Sequence, residues 1–283
     1  MLARGLREAV VGRTFTGAEV LVPEAVRFPA TDKLAAQLAG RRVLEATRRA
    51  KYLLLGLDDG QTLALHLMLW GNLQLRAEGS ERRPSTLLVL GLTGGQELHF
   101  TDTLGYARAA LAPHAELAAH LRLDELGPEV LGESWGPEVL ARRLARRRAP
   151  LKTLLLDQRV VAGMGNRDAD ESLWEAGLDP RRTAASLGGE ELARLAESMR
   201  RVLEEGLALG GTQRDLHGTR GRARHQRNVF ECTGRPCPRC GTGVQRVRLR
   251  GRNTHFCATC QPEAGAQKAP AAPVLPAQGE WLF

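Results

Sequence analysis

Four cysteines near the C-terminal end of the chain have the spacing of a metal site. They form two Cys-x-x-Cys pairs, Cys237 with Cys240 and Cys257 with Cys260, which are separated by sixteen residues. Each pair can turn two thiolates inward, and two pairs complete a tetrahedral sulfur site that suits Zn²⁺. Two chance disulfides are the alternative, but paired motifs at this spacing are typical of a zinc ribbon. We therefore expect one structural zinc ion bound by these four thiolates.

The residues between the two cysteine pairs predict a small hairpin. Residues 244–249 and 253–256 have the pattern of short strands, and Arg250-Gly251 suits the turn between them. A ribbon of this size has almost no hydrophobic core, so the metal must hold it together. Such ribbons often present their hairpin to nucleic acid, which gives a first indication of the partner.

The charge balance also favours a polyanionic partner. The 283 residues carry a formal net charge of +8. A basic but inert surface is the alternative, and the ribbon favours nucleic acid over it.

The charged N-terminal residues exclude a signal peptide, and no apolar run approaches the roughly eighteen residues that span a bilayer. Only five cysteines occur, which indicates a reducing compartment. We expect a cytoplasmic protein with no membrane partner.

A second motif lies at residues 157–166, where a predicted helix runs into two glycines. Gly163 and Gly165 permit a positive φ and leave the backbone uncovered. Asn166 suits the N-cap of the next helix, and a helix N-terminus attracts phosphate. The motif could therefore clamp a DNA backbone without reading base sequence. By itself the glycine pair fits a plain helix–helix turn equally well.

Helices and strands must position these motifs. The hydrophobic pattern predicts mainly strands in the first part of the chain and helices in the second. Residues 1–10 and 31–39 predict short helices, and the rest of the first hundred residues predicts antiparallel strands. Alternating leucines indicate a half-buried strand over 63–75, and turns at 58–60 and 93–95 suggest a β-sandwich. The chain is predicted to be helical from residue 137, and 212–228 to be a mobile basic loop. The predicted division is a β-sandwich domain over 1–113, a linker over 114–135, a helical domain with the basic loop over 136–228, the ribbon over 229–262 and a disordered tail over 263–283.

Three segments stand out in order along the chain: RRAKYLLLGLDDGQTLALHLMLWGNLQL, LLDQRVVAGMGNRDADESLWEAGLDPRR and GRNTHFCATCQ. In this order they resemble the formamidopyrimidine-DNA glycosylase/endonuclease VIII family. The resemblance covers roughly residues 4–261. It implies a multidomain α+β fold: an N-terminal antiparallel β-sandwich with flanking helices, a helix–two-turn–helix domain and a zinc ribbon. Family enzymes flip an oxidised base out of DNA, remove it, and nick the backbone by β- and δ-elimination.

The resemblance implies four residues near DNA phosphates. Asn166 matches the asparagine that binds the backbone beside the lesion. Arg252 matches the hairpin arginine that grips phosphates of the flipped nucleotide, a task that suits a guanidinium. Lys51 matches a lysine that contacts phosphate at the lesion, and Lys152 matches a lysine near the edge of the active site. For Arg252, Lys51 and Lys152 an ordinary exposed basic residue is the alternative.

The residues that fill the gap left by a flipped base depart from the family pattern. A family methionine appears as Leu69, which can still enter a gap in the base stack. The arginine that recognises the orphaned base and the phenylalanine behind it fall at Gly105 and Tyr106. Tyr106 can stack on a base, but Gly105 cannot hydrogen-bond cytosine. Asp168 replaces the usual tyrosine in the asparagine motif. These changes leave the preferred lesion open.

The start of the chain departs further. Family enzymes begin Pro-Glu after methionine removal, and the proline amine attacks the sugar while the glutamate handles protons. This chain reads Met-Leu-Ala-Arg-Gly-Leu and fits the family only from the helix that follows that segment. We expect that the recorded start omits a few residues. The catalytic residues are therefore unknown within the printed sequence.

Three functions remain open on these observations. The first is a DNA repair glycosylase with AP lyase activity that excises oxidised bases. The second is a non-catalytic protein that binds damaged DNA or abasic sites with the same fold. The third, a zinc-ribbon adaptor, does not explain Asn166, Lys51 or the β domain. We expect the partner to be double-stranded DNA containing damaged bases or abasic sites, and the protein to be a nucleoid-associated monomer of bacterial type.

Overall fold

The computed structural model describes residues 1–263 as two compact units. Residues 1–126 and 205–225 form the first unit, and residues 127–204 and 226–263 form the second. The tail predicted to be disordered lies, from residue 264 on, outside the described residues.

The first unit is built on two four-stranded antiparallel sheets. One sheet has the order β1-β6-β7-β5 and the other β2-β3-β4-β8. The predicted turns at 58–60 and 93–95 join β3 to β4 and β6 to β7. The predicted sandwich is therefore confirmed. The strands are β1 (Phe15–Val20), β2 (Val43–Arg49), β3 (Tyr52–Leu57), β4 (Gln61–His66), β5 (Asn72–Ala77), β6 (Thr86–Leu92), β7 (Gln96–Thr101) and β8 (Arg108–Pro113).

The core of this unit lies between the sheets and is closed by helices. Leu55 from one sheet and Leu98 from the other are fully buried in one apolar cluster. Helix α1 (Leu2–Val10) adds Leu6 to the cluster, and helix α2 (Thr31–Leu38) adds Leu34. Both helices were predicted from the sequence. A further helix, α3 (His114–Leu121), packs against β8.

The alternating leucines do not form one continuous strand. Strand β4 ends at His66, Met68 has φ +52°, and the chain turns before β5 begins at Asn72. A Cβ at Gly71 would lie 2.2 Å from the carbonyl oxygen of Leu67, so only glycine fits this tight turn. The expectation of a strand through Leu69 is wrong, because its side chain is 59% exposed on the turn.

The basic loop over 212–228, which was predicted to be mobile, is held to the core of the sandwich at one point. Leu216 is 1% exposed and belongs to the core cluster of the sandwich. Its carbonyl oxygen accepts a hydrogen bond of 2.8 Å from the backbone N–H of Leu75. Sequence reasoning missed this anchor because a single leucine in a polar segment has no periodicity to reveal it. Arg220 and Arg222 remain exposed on either side of the buried Gly221.

Helices make up most of residues 137–204 in the second unit, as predicted. Their apolar faces meet in one cluster that includes Leu144, Leu155, Leu173 and Met199. The arginines at 142–143 and 146–148 are mostly exposed. The helices are α4 (Pro137–Leu144), α5 (Leu151–Leu156), α6 (Asn166–Ala176) and α7 (Gly189–Ala208).

The ribbon hairpin follows the prediction to within one residue. Strand β9 (Gln245–Leu249) pairs antiparallel with β10 (Arg252–Phe256). The turn at Arg250 and Gly251 has φ values of +42° and +80°. The predicted fold class is thus confirmed. No helix within residues 1–263 combines the length and the apolar character that crossing a bilayer requires.

Candidate metal centre and nucleic-acid interface

The four ribbon cysteines have the geometry of a tetrahedral zinc site. Their sulfur atoms all lie within 4.8 Å of one another. The Sγ–Sγ distances are 3.8 Å for Cys237–Cys260 and 3.4 Å for Cys240–Cys257. Zinc–sulfur bonds of about 2.3 Å give tetrahedron edges of about 3.8 Å, whereas a disulfide would need about 2.05 Å. The residues fit the predicted structural zinc and exclude the alternative of disulfides in this structure.

Local hydrogen bonds form the two knuckles that point the thiolates inward. The N–H of Gly241 donates to the carbonyl oxygen of Cys237 at 2.8 Å, and the N–H of Gln261 donates to that of Cys257 at 2.8 Å. The side-chain oxygen of Gln261 also accepts from the N–H of Cys257 at 2.9 Å. Both knuckles therefore close by the same bond across four residues.

Helix α6 brings Asn166 close to the hairpin that carries Arg252. The Nδ2 of Asn166 donates to the carbonyl oxygen of Asn253 at 3.1 Å. Asn253 directly follows Arg252, which is exposed at the start of β10. The Oδ1 of Asn166 is buried and accepts no hydrogen bond from the described residues. Two of the predicted DNA contacts thus lie side by side.

The glycine motif differs in detail from the expectation. Gly163 has φ +83°, as expected, but Gly165 is extended at φ −102° and is itself the N-cap. Asn166 is the first helical residue. A Cβ at Gly165 would lie 3.0 Å from Oδ2 of Asp168. That oxygen is the end of a side chain that can shift, so neither a positive φ nor close approach requires glycine at 165.

Lys152 is not an exposed basic residue at the edge of a site. Its side chain is fully buried, and its ammonium group pairs with Oδ1 of Asp170. Burial lowers the pKa of Lys152 against the opposing effect of Asp170, and the positive charge of Arg252 lowers it further. Asp170 Oδ2 also accepts hydrogen bonds from the backbone N–H and the ring of His255, at 3.1 and 3.0 Å. The prediction that Lys152 contacts DNA needs correction, because a buried amine paired in this way cannot reach a phosphate.

The other predicted contacts come together at one end of the β-sandwich. Lys51 is exposed in the turn before β3, and the strand pairing sets Tyr52 opposite His66 and His66 opposite Arg108. In the other sheet, Asn72 pairs with Thr101. The turns that follow β4 and β7 therefore emerge at this same end, and they carry Leu69 and Tyr106.

These turns expose more apolar surface than the sequence analysis identified. Leu69 is 59% exposed and Tyr106 is 52% exposed, as a role in filling a gap requires. Three further side chains are about half exposed or more: Met68 at 48%, Trp70 at 65% and Leu104 at 53%. The signal for Trp70 was present, since only 4% of the residues are aromatic and it neighbours the predicted Leu69.

A buried aspartate shapes the turn that carries Tyr106. The carboxylate of Asp102 accepts hydrogen bonds from three backbone N–H groups, those of Leu104 at 2.9 Å, Tyr106 at 2.9 Å and Ala107 at 2.8 Å. Gly105 supplies the positive φ of +68° that lets the chain fold around this carboxylate. The fold thus has a use for glycine at 105.

The sequence also gave no indication of the role of His66 at this end of the sandwich. Burial lowers its pKa to about 4, and the positive charges of Lys51 and Arg27 contribute. Its Nδ1 accepts a hydrogen bond of 3.0 Å from the backbone N–H of Met68. A neutral imidazole therefore ties the exposed turn to the strand beside Lys51. A histidine in an apolar strand gives no signal of this by itself.

A β-sandwich, a helical domain with a glycine turn and a four-cysteine ribbon together define a class of multidomain zinc proteins. Sequence profiles assign three stretches of this chain: the formamidopyrimidine-DNA glycosylase N-terminal domain at residues 1–109, the formamidopyrimidine-DNA glycosylase H2TH domain at 126–217, and the zinc finger found in FPG and IleRS at 234–262. The chain belongs to the formamidopyrimidine-DNA glycosylase family.

Individual relatives span nearly the whole chain. The formamidopyrimidine-DNA glycosylase of Moorella thermoacetica is 45% identical over 86% of this chain and 89% of that protein. The protein of the same name from Pelotomaculum thermopropionicum is 38% identical over 91% of this chain and 95% of its own length. A crystal structure of Lactococcus lactis Fpg with DNA containing an abasic site has a TM-score of 0.85 at 27% identity, over 93% of this chain and 97% of that one. Another, with DNA containing FAPY-dG, has a TM-score of 0.86 at the same identity and coverage.

Proposed function

We propose that this protein is a DNA repair glycosylase with AP lyase activity that excises oxidised bases from double-stranded DNA. The observation that carries the proposal is the match of the N-terminal and helical domains to models of one glycosylase family, followed by a ribbon that matches the zinc finger found in FPG and IleRS. Solved relatives of this fold bind DNA with abasic sites and damaged bases. The fit of the four cysteines to zinc supports the same assignment, because the ribbon holds the hairpin that presents Arg252.

In this proposal the DNA contacts divide between two surfaces. Asn166 and Arg252, which lie side by side, hold backbone phosphates next to the lesion. Lys51 holds a phosphate from the end of the sandwich. Leu69 and Tyr106 enter the space left by the flipped nucleotide, where apolar and aromatic side chains can replace the lost base stacking. Neither surface reads base sequence, which suits an enzyme that must work at any lesion. We place this work in the cytoplasm, at the nucleoid, with one monomer per lesion.

The proposed chemistry needs an amine that attacks the sugar. In family enzymes it belongs to an N-terminal proline, and the printed sequence has Met1 at its start. Burial lowers the pKa of the Met1 α-amine, and the charges of Arg4 and Arg48 lower it further. A lowered pKa leaves more of an amine unprotonated at neutral pH, which is the form that can attack. We expect weak lyase activity from the printed chain and strong activity once a Pro-Glu segment precedes it.

Borohydride trapping tests the proposed chemistry. An amine that displaces the base at C1′ forms an iminium ion when the C1′–O4′ bond of the sugar ring opens, and at an abasic site it forms the same ion by adding to the C1′ aldehyde with loss of water. Borohydride reduces the C=N bond to a stable amine, so protein and DNA become covalently linked. The printed chain and a version preceded by Pro-Glu would each be trapped on duplexes with an oxidised base or an abasic site. We expect a strong adduct only for the longer version. No adduct from either version, together with tight damage-specific binding, would establish the non-catalytic alternative.

A further inference from the structure

The first knuckle of the ribbon contacts a tryptophan that the sequence analysis did not assign. Trp174 lies on helix α6 and is 5% exposed. Its indole Nε1 is 3.4 Å from the Sγ of Cys237, and the N–H donates to that sulfur. An indole N–H is a donor only, and leaving a buried donor without a partner destabilises the folded protein. The sulfur of Cys237 therefore provides the hydrogen-bond acceptor that the buried indole N–H needs.

Arg239 fixes the orientation of the ring. Its guanidinium carbon lies 3.8 Å from the centroid of the Trp174 ring. Its NH1 and NH2 groups donate to the carbonyl oxygens of Trp174 and Glu175, at 2.8 and 3.2 Å. Arg239 is also part of the knuckle, since it stands between Cys237 and Cys240. The knuckle therefore holds the indole against itself, with the N–H directed at one metal ligand.

We propose that the Trp174 indole N–H stabilises the zinc-bound thiolate of Cys237, so that helix α6 takes part in retaining the metal. Four thiolates around Zn²⁺ leave a net negative charge, and a hydrogen bond to an ionised sulfur is stronger than one to a neutral thiol. Such a bond withdraws electron density from the sulfur. It makes the sulfur a poorer nucleophile towards oxidants and slows the dissociation that begins when one ligand leaves.

The same contact links the metal to the proposed DNA surface. Trp174 lies eight residues after Asn166 on α6, a little more than two helical turns away. One rigid helix thus hydrogen-bonds a zinc ligand at one point and the residue after Arg252 at another. The proposal for Trp174 itself stands without the DNA function, because it concerns only the metal and its ligands.

Trp174→Phe removes the N–H and keeps an aromatic ring, and the chain offers a matched control. Trp135 is also buried, at 8% exposed, and its indole Nε1 donates to the carbonyl oxygen of Ala196 at 3.0 Å. Trp135→Phe thus deletes a comparable hydrogen bond in the same unit, away from the cysteines. Zinc release from each purified full chain to a coloured chelator would be followed over time. We expect Trp174→Phe to release zinc about 10–100 times faster than the parent, as is typical when a partner of a metal ligand is lost, and Trp135→Phe to release it at the parent rate.

A spectroscopic measurement separates a bond to sulfur from a general loss of stability. Co²⁺ substituted for zinc gives sulfur-to-metal charge-transfer bands, and removing a hydrogen bond from a thiolate moves these bands to longer wavelength. We expect that shift in Trp174→Phe and an unchanged spectrum in Trp135→Phe. Equal zinc release and equal spectra in the two variants would overturn the proposal. Should Trp174→Phe fail to bind metal, Arg239→Gln, which loosens the ring but keeps its N–H, should show a smaller shift in the same direction, and an unshifted band there would also overturn it.

Discussion

His66 shows how one side chain at the end of the sandwich responds to the charges around it. Its pKa of about 4 lies below the ordinary value of 6.5, because of burial first and then Lys51 and Arg27. Between these two values the unfolded chain binds a proton that the folded protein does not. The free energy of unfolding should therefore rise as pH increases from about 4 to about 6.5, and His66 should add nothing further to the change above that.

Urea unfolding of the parent and of His66→Gln across pH 4.5–7.5 measures this contribution. A fall in pKa from 6.5 to about 4 corresponds to at most about 3–4 kcal/mol, and the partial exposure of His66 reduces this contribution. We expect the variant to lose part of the rise in stability between pH 4.5 and 6.5. The exposed His217 provides the control, and His217→Gln should keep the parent slope. An identical slope in all three proteins would show that His66 is protonated equally in both states.

Arg252 is the residue for which the proposed DNA contact is easiest to isolate. Its side chain is exposed at the start of β10, so its removal should leave the ribbon folded. Arg252→Ala should weaken binding to a duplex with a stable abasic-site analogue by about 1–3 kcal/mol. Fluorescence anisotropy of a labelled duplex gives the Kd.

Arg248→Ala tests whether charge alone explains that loss. Arg248 is exposed on the partner strand β9, opposite Asn253. Both variants lower the net charge equally, so a difference between them reports position. Equal losses would mean that Arg252 attracts DNA only through the overall charge of the protein.

For single residues, the sequence predicted the four metal ligands correctly and the environment of Lys152 wrongly. Cys237 and its partners act within two short knuckles, so their spacing determines the site. Lys152 pairs with Asp170, which lies eighteen residues away on another helix. No local pattern distinguishes a lysine with such a partner from one in solvent. His66 was missed for the same reason, because burial and the charge of Lys51 come from other strands.

The turn between β4 and β5 is the element best placed to enter a gap in DNA. It exposes Leu69 and Trp70 together. Replacing both by alanine should weaken binding to the abasic-site duplex by about 1–3 kcal/mol, the value typical of one lost base-stacking contact, and should affect undamaged duplex little. Leu44→Ala is the control, because Leu44 is 57% exposed at the opposite end of the sandwich. Equal losses on damaged and undamaged duplex would exclude insertion.

The ribbon is the element that should depend wholly on its metal. Removal of zinc by a strong chelator should unfold residues 229–262 and reduce DNA affinity in parallel, and added zinc should restore both. Limited proteolysis follows the ribbon while anisotropy follows binding. DNA binding that survives complete zinc removal would show that the hairpin takes no part in holding DNA.

Elements were predicted correctly where periodicity and local turns agree. Helix α1 and strand β10 each follow from a short pattern of that kind. The alternating leucines wrongly predicted a continuous strand through Leu69. Their two-residue spacing continues in the sequence, but the backbone turns at Gly71, where only glycine fits. Leu216 was missed because its contacts are with the sandwich, far away in sequence.

For the whole molecule the excess of positive charge predicts how binding responds to salt. Each phosphate contact adds about 0.9 to the slope of log affinity against log salt concentration, because DNA releases bound counterions. The parent should therefore bind much more weakly at 200 mM than at 50 mM salt. Arg252→Ala should reduce the slope by about one unit, and Arg142→Ala, on the exposed end of α4, should leave it unchanged. A parent slope near zero would contradict phosphate recognition altogether.

Helix α6 connects to the residues around the ribbon along its whole length. Asn166 bonds Asn253, Asp170 bonds His255, Glu171 accepts from the N–H groups of residues 228–230, and Trp174 bonds Cys237. With so many ties, opening the hairpin requires opening the helix. Amide protons of α6 and β10 should then exchange with deuterium at one common rate, as a single cooperative unit. The ribbon has little core of its own, so its contacts with helix α6 take the place of one in stabilising it.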